Sequence, residues 1–208
     1  MIIVYSKIMA NYKKQDHWQI KAKTEGYPAR SVYKLKEMDE KFGLVNPRLK
    51  ILDLGAAPGS WSLYILRKTP GVFLVSVDLS PLSNDVGKSG GENFSFIQGD
   101  FTAPDIREAI ISKQPYDLII SDAAPATTGN RVVDTSRSLE LAETAVSYAE
   151  TALSLGGSLV IKVFQGGDTS ELLKRLSVMF KKAKSYKPQA CRSDSFETYY
   201  LGFEKSTA

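Results

Sequence analysis

The sequence is short of the residues that build covalent or metal frameworks. It has one cysteine, Cys191, and one histidine, His17. An intrachain disulfide and a Cys/His zinc site are therefore excluded, no metal is expected, and a reducing compartment, the cytoplasm, is the expected location. No apolar run approaches the ~18 residues of a membrane span. Residues 1–10 are briefly apolar, but no basic residue precedes the apolar stretch and no clear cleavage site follows, so no secretory signal is expected. Two phosphate-binding loops are missing. There is no G-x-x-x-x-G-K-[ST], which argues against a nucleoside triphosphatase, and no G-x-G-x-x-G.

What is present is ordinary globular composition: 208 residues, 43% hydrophobic and 24% charged, enough for one domain. The net charge of +4 hides a segregation. Residues 1–50 carry eleven Lys/Arg against five Asp/Glu, residues 51–171 carry eight against fifteen, and residues 172–208 carry eight against three. A mildly acidic middle thus lies between two basic ends. If both ends fold onto one side they form a positive face suited to a polyanion; the alternative is two solvated lysine-rich surfaces.

Apolar runs at 50–54, 72–78, 94–98, 116–121 and 158–164 read as strands, and 197–203 as a last one. Helical spacing is expected at 29–35, 61–68, 139–155 and 170–182, with Gly156-Gly157 ending the third of these. Residues 84–93 read as a loop, and the polar stretch 11–28 as irregular or helical. Near-continuous apolar strands separated by helices predict an α/β protein with a parallel sheet covered on both faces.

Ligands of such sheets sit beyond the carboxyl ends of the strands. Asp53-Leu54-Gly55-Ala56-Ala57-Pro58-Gly59 falls there, with glycines spaced G-x-x-x-G and Pro58 removing a donor that a pyrophosphate cradle would use. Asp78 closes the second strand, where a carboxylate accepts hydrogen bonds from ribose hydroxyls, and Asp100-Phe101 closes the third, where it would flank an adenine. Alone, each Asp also reads as a turn former. Together they suit a nucleoside without phosphates, S-adenosylmethionine.

Lys162 lies inside an apolar strand, where an ammonium is costly unless paired and where desolvation would favour a neutral base. The alternative is a strand-end lysine whose stem reaches to water. Asp122, after the neighbouring strand, would pair with it or cap the following loop. Lys34 lies in an amphipathic helix and Glu197 opens the last strand; singly, both read as surface residues.

Seven ordered blocks, spread from about residue 11 to 204, resemble the FtsJ family of RNA ribose 2'-O-methyltransferases. They are Ala29-Arg30-Ser31-Val32-Tyr33-Lys34-Leu35, Asp53-Leu54-Gly55-Ala56-Ala57-Pro58-Gly59-Ser60-Trp61-Ser62, Val77-Asp78-Leu79, Gln98-Gly99-Asp100-Phe101, Ser121-Asp122-Ala123-Ala124-Pro125, Lys162-Val163-Phe164-Gln165-Gly166 and Ser195-Phe196-Glu197. The resemblance implies a Rossmann-like methyltransferase fold: a mostly parallel seven-stranded sheet, an antiparallel C-terminal strand, and helices on both faces. It implies a basic N-terminal extension over 1–28 and a methyltransferase domain over 29–208. It implies a catalytic tetrad of Lys34, Asp122, Lys162 and Glu197, with Lys162 accepting the proton. Cofactor contacts to S-adenosylmethionine are expected at Gly55, Gly59, Trp61, Asp78, Asp100, Phe101 and Asp122. RNA contacts are expected at Arg30, Lys34, Lys181, Lys182, Lys184 and Arg192. The expected substrate is a uridine of large-subunit ribosomal RNA, the alternative a tRNA anticodon-loop ribose or, in a different class, a non-catalytic RNA-binding module. A monomer is expected.

The sequence departs from the bacterial ribosomal branch at Ser60, often glycine there, and in Ala126-Thr127-Thr128-Gly129; Gln165 resembles that branch. Base methylation fits less well. Asp122-Ala123-Ala124-Pro125 is not the [DN]-P-P-[YF] loop of adenine amino-methylation, and Cys191, the only candidate for a cytosine C5 nucleophile, lies outside the strand-end segments.

Overall fold

The computed structural model of the protein describes residues 17–166, 169–192 and 195–206. The apolar decapeptide at the start, and the expectation of no secretory signal, lie outside the described residues. Helices α1 (His17–Thr24) and α2 (Val32–Phe42) precede β1 (Lys50–Leu54). Then follow α3 (Ser60–Lys68), β2 (Phe73–Asp78), α4 (Asn84–Gly90), β3 (Phe94–Gln98), α5 (Pro104–Ile111) and β4 (Tyr116–Ser121). The remainder is α6 (Arg131–Ala152), β5 (Leu153–Phe164), α7 (Thr169–Met179), β6 (Phe180–Tyr186) and β7 (Glu197–Lys205).

The strands form one sheet in the order β3-β2-β1-β4-β5-β7-β6. β1 to β5 pair in parallel, and β7 runs antiparallel to both its neighbours, β5 and β6. The fold is therefore the mixed seven-stranded α/β sheet expected, with β7 the one strand of opposite sense.

Side chains alternate between the two faces of a strand, so each strand feeds two cores. Ile51, Leu118, Val160 and Tyr199 pack with Leu35 and Met38 of α2 and with Leu63 of α3. Leu52, Ile119 and Ile161 pack on the other face with Ala145 and Ala149 of α6 and Leu176 of α7. This parity decides where Lys162 points. It has the same parity as Val160, which turns it toward the α2 and α3 face. There it pairs in register with Tyr199 of β7. The segment ahead of α2 is part of the same body: Ala22 is buried in the first core and Trp18 packs against it.

Three local expectations need correcting. Residues 84–90 form a helix, not a loop, and Val86 is its one buried side chain. The long helix begins at Arg131, capped by the Asn130 side chain, which accepts from the Val132 and Val133 N–H groups, and it ends at Ala152. Gly156-Gly157 lies inside β5 instead, in an irregular stretch where Tyr116 opposes Leu153 but Leu118 opposes Ser158. The extra residues bulge outward, which glycines permit. Finally, the expected helix 170–182 stops at Met179, and Lys181, Lys182 and Lys184 lie on strand β6.

Candidate active site

Four charged side chains from four elements meet at the carboxyl end of β4 and β5. The Lys34 ammonium on α2 lies 2.9 Å from Glu197, the first residue of β7. Lys162 lies 3.1 Å from Asp122 Oδ1 and also donates to the Asp122 backbone carbonyl. Tyr199 joins the two pairs: its hydroxyl donates to Asp122 Oδ1 at 2.6 Å, and its ring centroid is 5.9 Å from the Lys34 ammonium. Lys34 is 9% exposed, Lys162 8% and Tyr199 fully buried. Such burial of cations is tolerated because each has a carboxylate at contact distance.

The electrostatics follow from this packing. Burial works against an ionised Asp122, but Lys162, Lys34 and the Tyr199 hydroxyl outweigh it and hold the carboxyl below its usual range. Burial likewise opposes the Lys34 ammonium, and Asp122 and Glu197 outweigh it, so Lys34 titrates above an ordinary lysine. Tyr199 is pushed well above an ordinary tyrosine by burial and the same two carboxylates. Cys191 is raised to about 12 by burial and by Glu197, so it is an unreactive thiol.

Asp122 also borders a cavity of about 850 Å³ over the ends of β1, β2 and β3. Of the expected cofactor residues, Gly55, Asp78, Asp100, Phe101 and Asp122 line it. Gly55 has φ +75°, and a Cβ there would fall 2.6–2.9 Å from the side chain and backbone of Ala123, so only glycine lets the two loops meet. Asp78 accepts from the Ala57 and Ser80 N–H groups at 2.9 and 2.8 Å, bracing the 55–59 turn. Asp100 Oδ1 accepts from the Thr102 N–H and hydroxyl. Both carboxylates thus brace turns and also border the cavity. The walls carry carboxylates and backbone with a single guanidinium, Arg137. That set suits hydroxyl and ammonium donors and a sulfonium, and it would repel phosphate.

Gly59 and Trp61 do not line this cavity. Gly59 has φ +104°, and a Cβ on it would meet the Val86 side chain at 2.4 Å. Trp61 is 2% exposed and donates from Nε1 to the Ser31 carbonyl at 2.8 Å, bracing the entry to α2 and hence Lys34. Ser60, where the sequence departs from glycine, accepts from the Ala29 N–H at 2.7 Å and ties the same segment down.

A second cavity, of about 360 Å³, opens beside Lys34 and Glu197. Arg30, Ser31, Arg192, Ser195 and Phe196 complete it. Burial and the neighbouring Arg192 both lower the Arg30 pKa, so two guanidiniums repel one another across its mouth. Lys181, Lys182 and Lys184 are not part of it. They run down β6 toward the amino end of the parallel strands, where Lys181 pairs with Glu204 at 3.0 Å and Lys184 lies 4.5 Å over the Phe42 ring.

Two residues escaped the sequence reading. Tyr199 is one of two adjacent tyrosines in a strand, and only its register beside Lys162 singles it out. Asp134 accepts from the Thr128 N–H and hydroxyl and the Gly129 N–H at 2.7, 2.8 and 3.2 Å, which fixes the loop after Pro125. No signal short of that loop's folded shape marks it.

Comparison with known proteins identifies the family. The model of the FtsJ-like methyltransferase family matches residues 27–205. "Ribosomal RNA large subunit methyltransferase E" of Treponema denticola is 50% identical over 194 residues, 93% of this chain and 96% of that protein. The protein of the same name from Borreliella afzelii is 46% identical over 187 residues, 90% and 96% of the two chains. Among solved structures, one described as a ribosomal RNA methyltransferase from Plasmodium falciparum superposes with a TM-score of 0.71 at 28% identity, over 86% of this chain and 98% of that one.

Proposed function

The chain belongs to the FtsJ-like methyltransferase family, and from that premise we propose that it methylates a ribose 2'-hydroxyl in large-subunit ribosomal RNA, with S-adenosylmethionine as donor. The observation that carries the reading is the junction of two cavities at one buried network. Asp122, paired with Lys162, borders the larger cavity on one side, and Lys34 and Glu197 line the smaller on the other.

The cofactor, when bound, supplies an electrophilic methyl group on a sulfonium. The residues that would hold it are Gly55, Asp78, Asp100, Phe101 and Asp122. Lys162 Nζ takes the proton of the 2'-hydroxyl, a poor nucleophile while protonated. Asp122 fixes the position of that amine through its carboxylate and its carbonyl. Lys34 stays an ammonium and holds positive charge beside the amine, while Glu197 orients Lys34. Alignment of oxygen, methyl and sulfur supplies most of the rate gain, and a positioned base adds about 10²–10⁴-fold.

The smaller cavity receives the target nucleotide, with Arg30 and Arg192 on its phosphates; Lys181, Lys182 and Lys184 lie farther along the same edge of the sheet and contribute less. The methyltransferase domain is residues 29–208 and residues 1–28 extend it. The protein works as a monomer in the cytoplasm, where ribosomal RNA is met; among the described residues no helix is long and apolar enough to cross a membrane. The test is transfer of labelled methyl from S-adenosylmethionine to large-subunit rRNA, followed by digestion. Label on the ribose of one rRNA nucleotide is the expected result. Label on a base, or on tRNA alone, overturns the assignment.

A further inference from the structure

A third cavity, of about 520 Å³, runs along α2 beside the face that carries Lys34. Its floor is one face of that helix: Tyr33, Lys36, Glu37, Glu40 and Lys41 follow the i, i+3, i+4, i+7, i+8 spacing of a single helical stripe. One wall is Trp18 and Lys21 of α1; the other is Tyr186 and Gln189 beyond β6.

The groove alternates rings and cations. Trp18 packs against Tyr33 with centroids 4.9 Å apart, and the Lys21 ammonium sits 4.9 Å over the Tyr33 ring. Lys41 sits 4.4 Å over Tyr186 on the opposite wall. Lys36 has no ion-pair or hydrogen-bond partner among the described residues. Two carboxylates share the stripe and Lys21 lies 3.9 Å from Glu25, so the lysines act here as separate phosphate contacts between the rings and not as a strongly positive field. The Glu37 carboxylate is taken up by the Tyr186 hydroxyl and the Gln189 and Ala190 N–H groups, at 2.5, 2.8 and 3.3 Å. Glu40 is exposed at the outer end. The stripe from Tyr33 to Lys41 is about 12 Å long, the length of three to four base steps of ~3.4 Å. It starts one residue from the tetrad lysine.

We infer that this groove is a second RNA subsite, which holds single-stranded nucleotides adjoining the target, their phosphates on Lys21, Lys36 and Lys41 and a base against Trp18. The inference rests on RNA being the substrate. Aromatic rings interleaved with cations are the chemistry by which proteins track a single strand without reading its sequence. The stripe carries one ring, Tyr33, among four charged side chains, which suits a charged strand with stackable bases better than an apolar peptide.

The test uses the full-length protein and a transcribed fragment of large-subunit rRNA. RNA quenches the tryptophan fluorescence of the wild type, and Trp18→Phe removes that quench; Trp61, being buried, does not report. Lys36→Ala combined with Lys41→Ala weakens RNA binding about tenfold at moderate salt and flattens the log K against log salt slope by up to ~0.7 per lost contact. Cofactor affinity stays at the wild-type value, which shows the fold intact. An unquenched Trp18 with an unchanged slope, in a protein that still methylates the RNA, overturns the subsite and leaves the enzymatic reading standing. A double variant that binds naked RNA normally and fails only on assembled ribosomal particles also overturns it, in favour of a protein contact. A wild type that transfers no methyl to RNA overturns the enzymatic reading itself.

Discussion

Two cavities flank one buried network, the larger touching it at Asp122 and the smaller at Lys34 and Glu197, and they are made of opposite materials. The larger is lined by Asp78, Asp100 and Glu140 among backbone and small side chains, all from residues 55–144. The smaller is lined by Arg30, Lys34 and Arg192 with one acid, Glu197, all from residues 30–34 and 192–197. The segregation of charge along the chain therefore becomes a segregation in space. The acidic middle supplies a chamber for a cation, and the basic ends fold back to supply a mouth for a polyanion. In the proposed reaction a sulfonium and an RNA strand, which attract one another, would be sorted into separate places by walls of opposite sign, with the buried network between them.

The comparison breaks first at the junction. Lys162→Ala should abolish labelled methyl transfer, a loss of at least the ~10²–10⁴-fold assigned to a positioned base, with cofactor and RNA affinities within a few-fold of wild type. Retained turnover would remove Lys162 from the chemistry.

The acidic side is read next, through Asp53 beneath it. This carboxyl is 1% exposed, and its Oδ1 has no hydrogen-bond partner among the described residues. Burial, then the fields of Asp122 and Asp78, lift it to about 7 against one hydrogen bond from Ser62. Between pH ~4 and ~7 the folded protein keeps a proton the unfolded chain has lost, so stability should fall as pH rises through that window, by up to about 4 kcal/mol. Asp53→Asn should flatten the dependence in denaturation measured at pH 5 and pH 8. An equally steep fall in the variant would place the titration elsewhere.

Asp78→Ala sharpens the contrast from the same side. Calorimetry should show cofactor binding weakened by about 1.5–3 kcal/mol and RNA binding untouched. Arg192→Ala is its counterpart: the RNA salt slope should flatten by up to ~0.7, with cofactor binding untouched. If either variant altered both ligands, the cavities would not be separate. The smallest effect is expected from Lys181→Ala with Lys182→Ala. Both lie toward the amino end of β6 and Lys181 is already paired, so the salt slope should hardly move. A drop as large as that of Arg192→Ala would extend the RNA face down the whole edge strand.

Much of this arrangement was legible in the sequence, because buried parallel strands announce themselves. Residues 50–54 and 116–121 were delimited to the residue, and Lys162 stood out as an ammonium inside an apolar strand. Strand β6 was hidden because it lies at the sheet edge, where lysines guard open backbone and blur the alternation; its Lys181 and Lys182 read as the tail of a helix. Helix α4 was hidden because Asn84, Gly87 and Gly90 are poor helix formers, and only Val86 packing against Gly59 gives it a reason to form. Tyr199 illustrates a different limit. Its role depends on which strand lies beside β5, and pairing across the chain leaves no local trace.

The order in which the sheet is built has its own consequence for synthesis. β7 is translated after every other strand of the sheet, yet it does not occupy an edge; it is inserted between β5 and β6. A nascent chain that has reached only residue 190 has all of β1 to β6 but leaves β6 without a neighbour, and it lacks both Glu197 and Tyr199. Lys34 then has no partner and Asp122 has lost its hydroxyl donor. The residues that border the larger cavity, all between 55 and 144, have by then been made. Every residue that borders the larger cavity is thus translated before β7, whereas the smaller cavity and the network between the two wait for Glu197 and Tyr199, so a chain truncated ahead of β7 lacks the acceptor side of the proposed reaction.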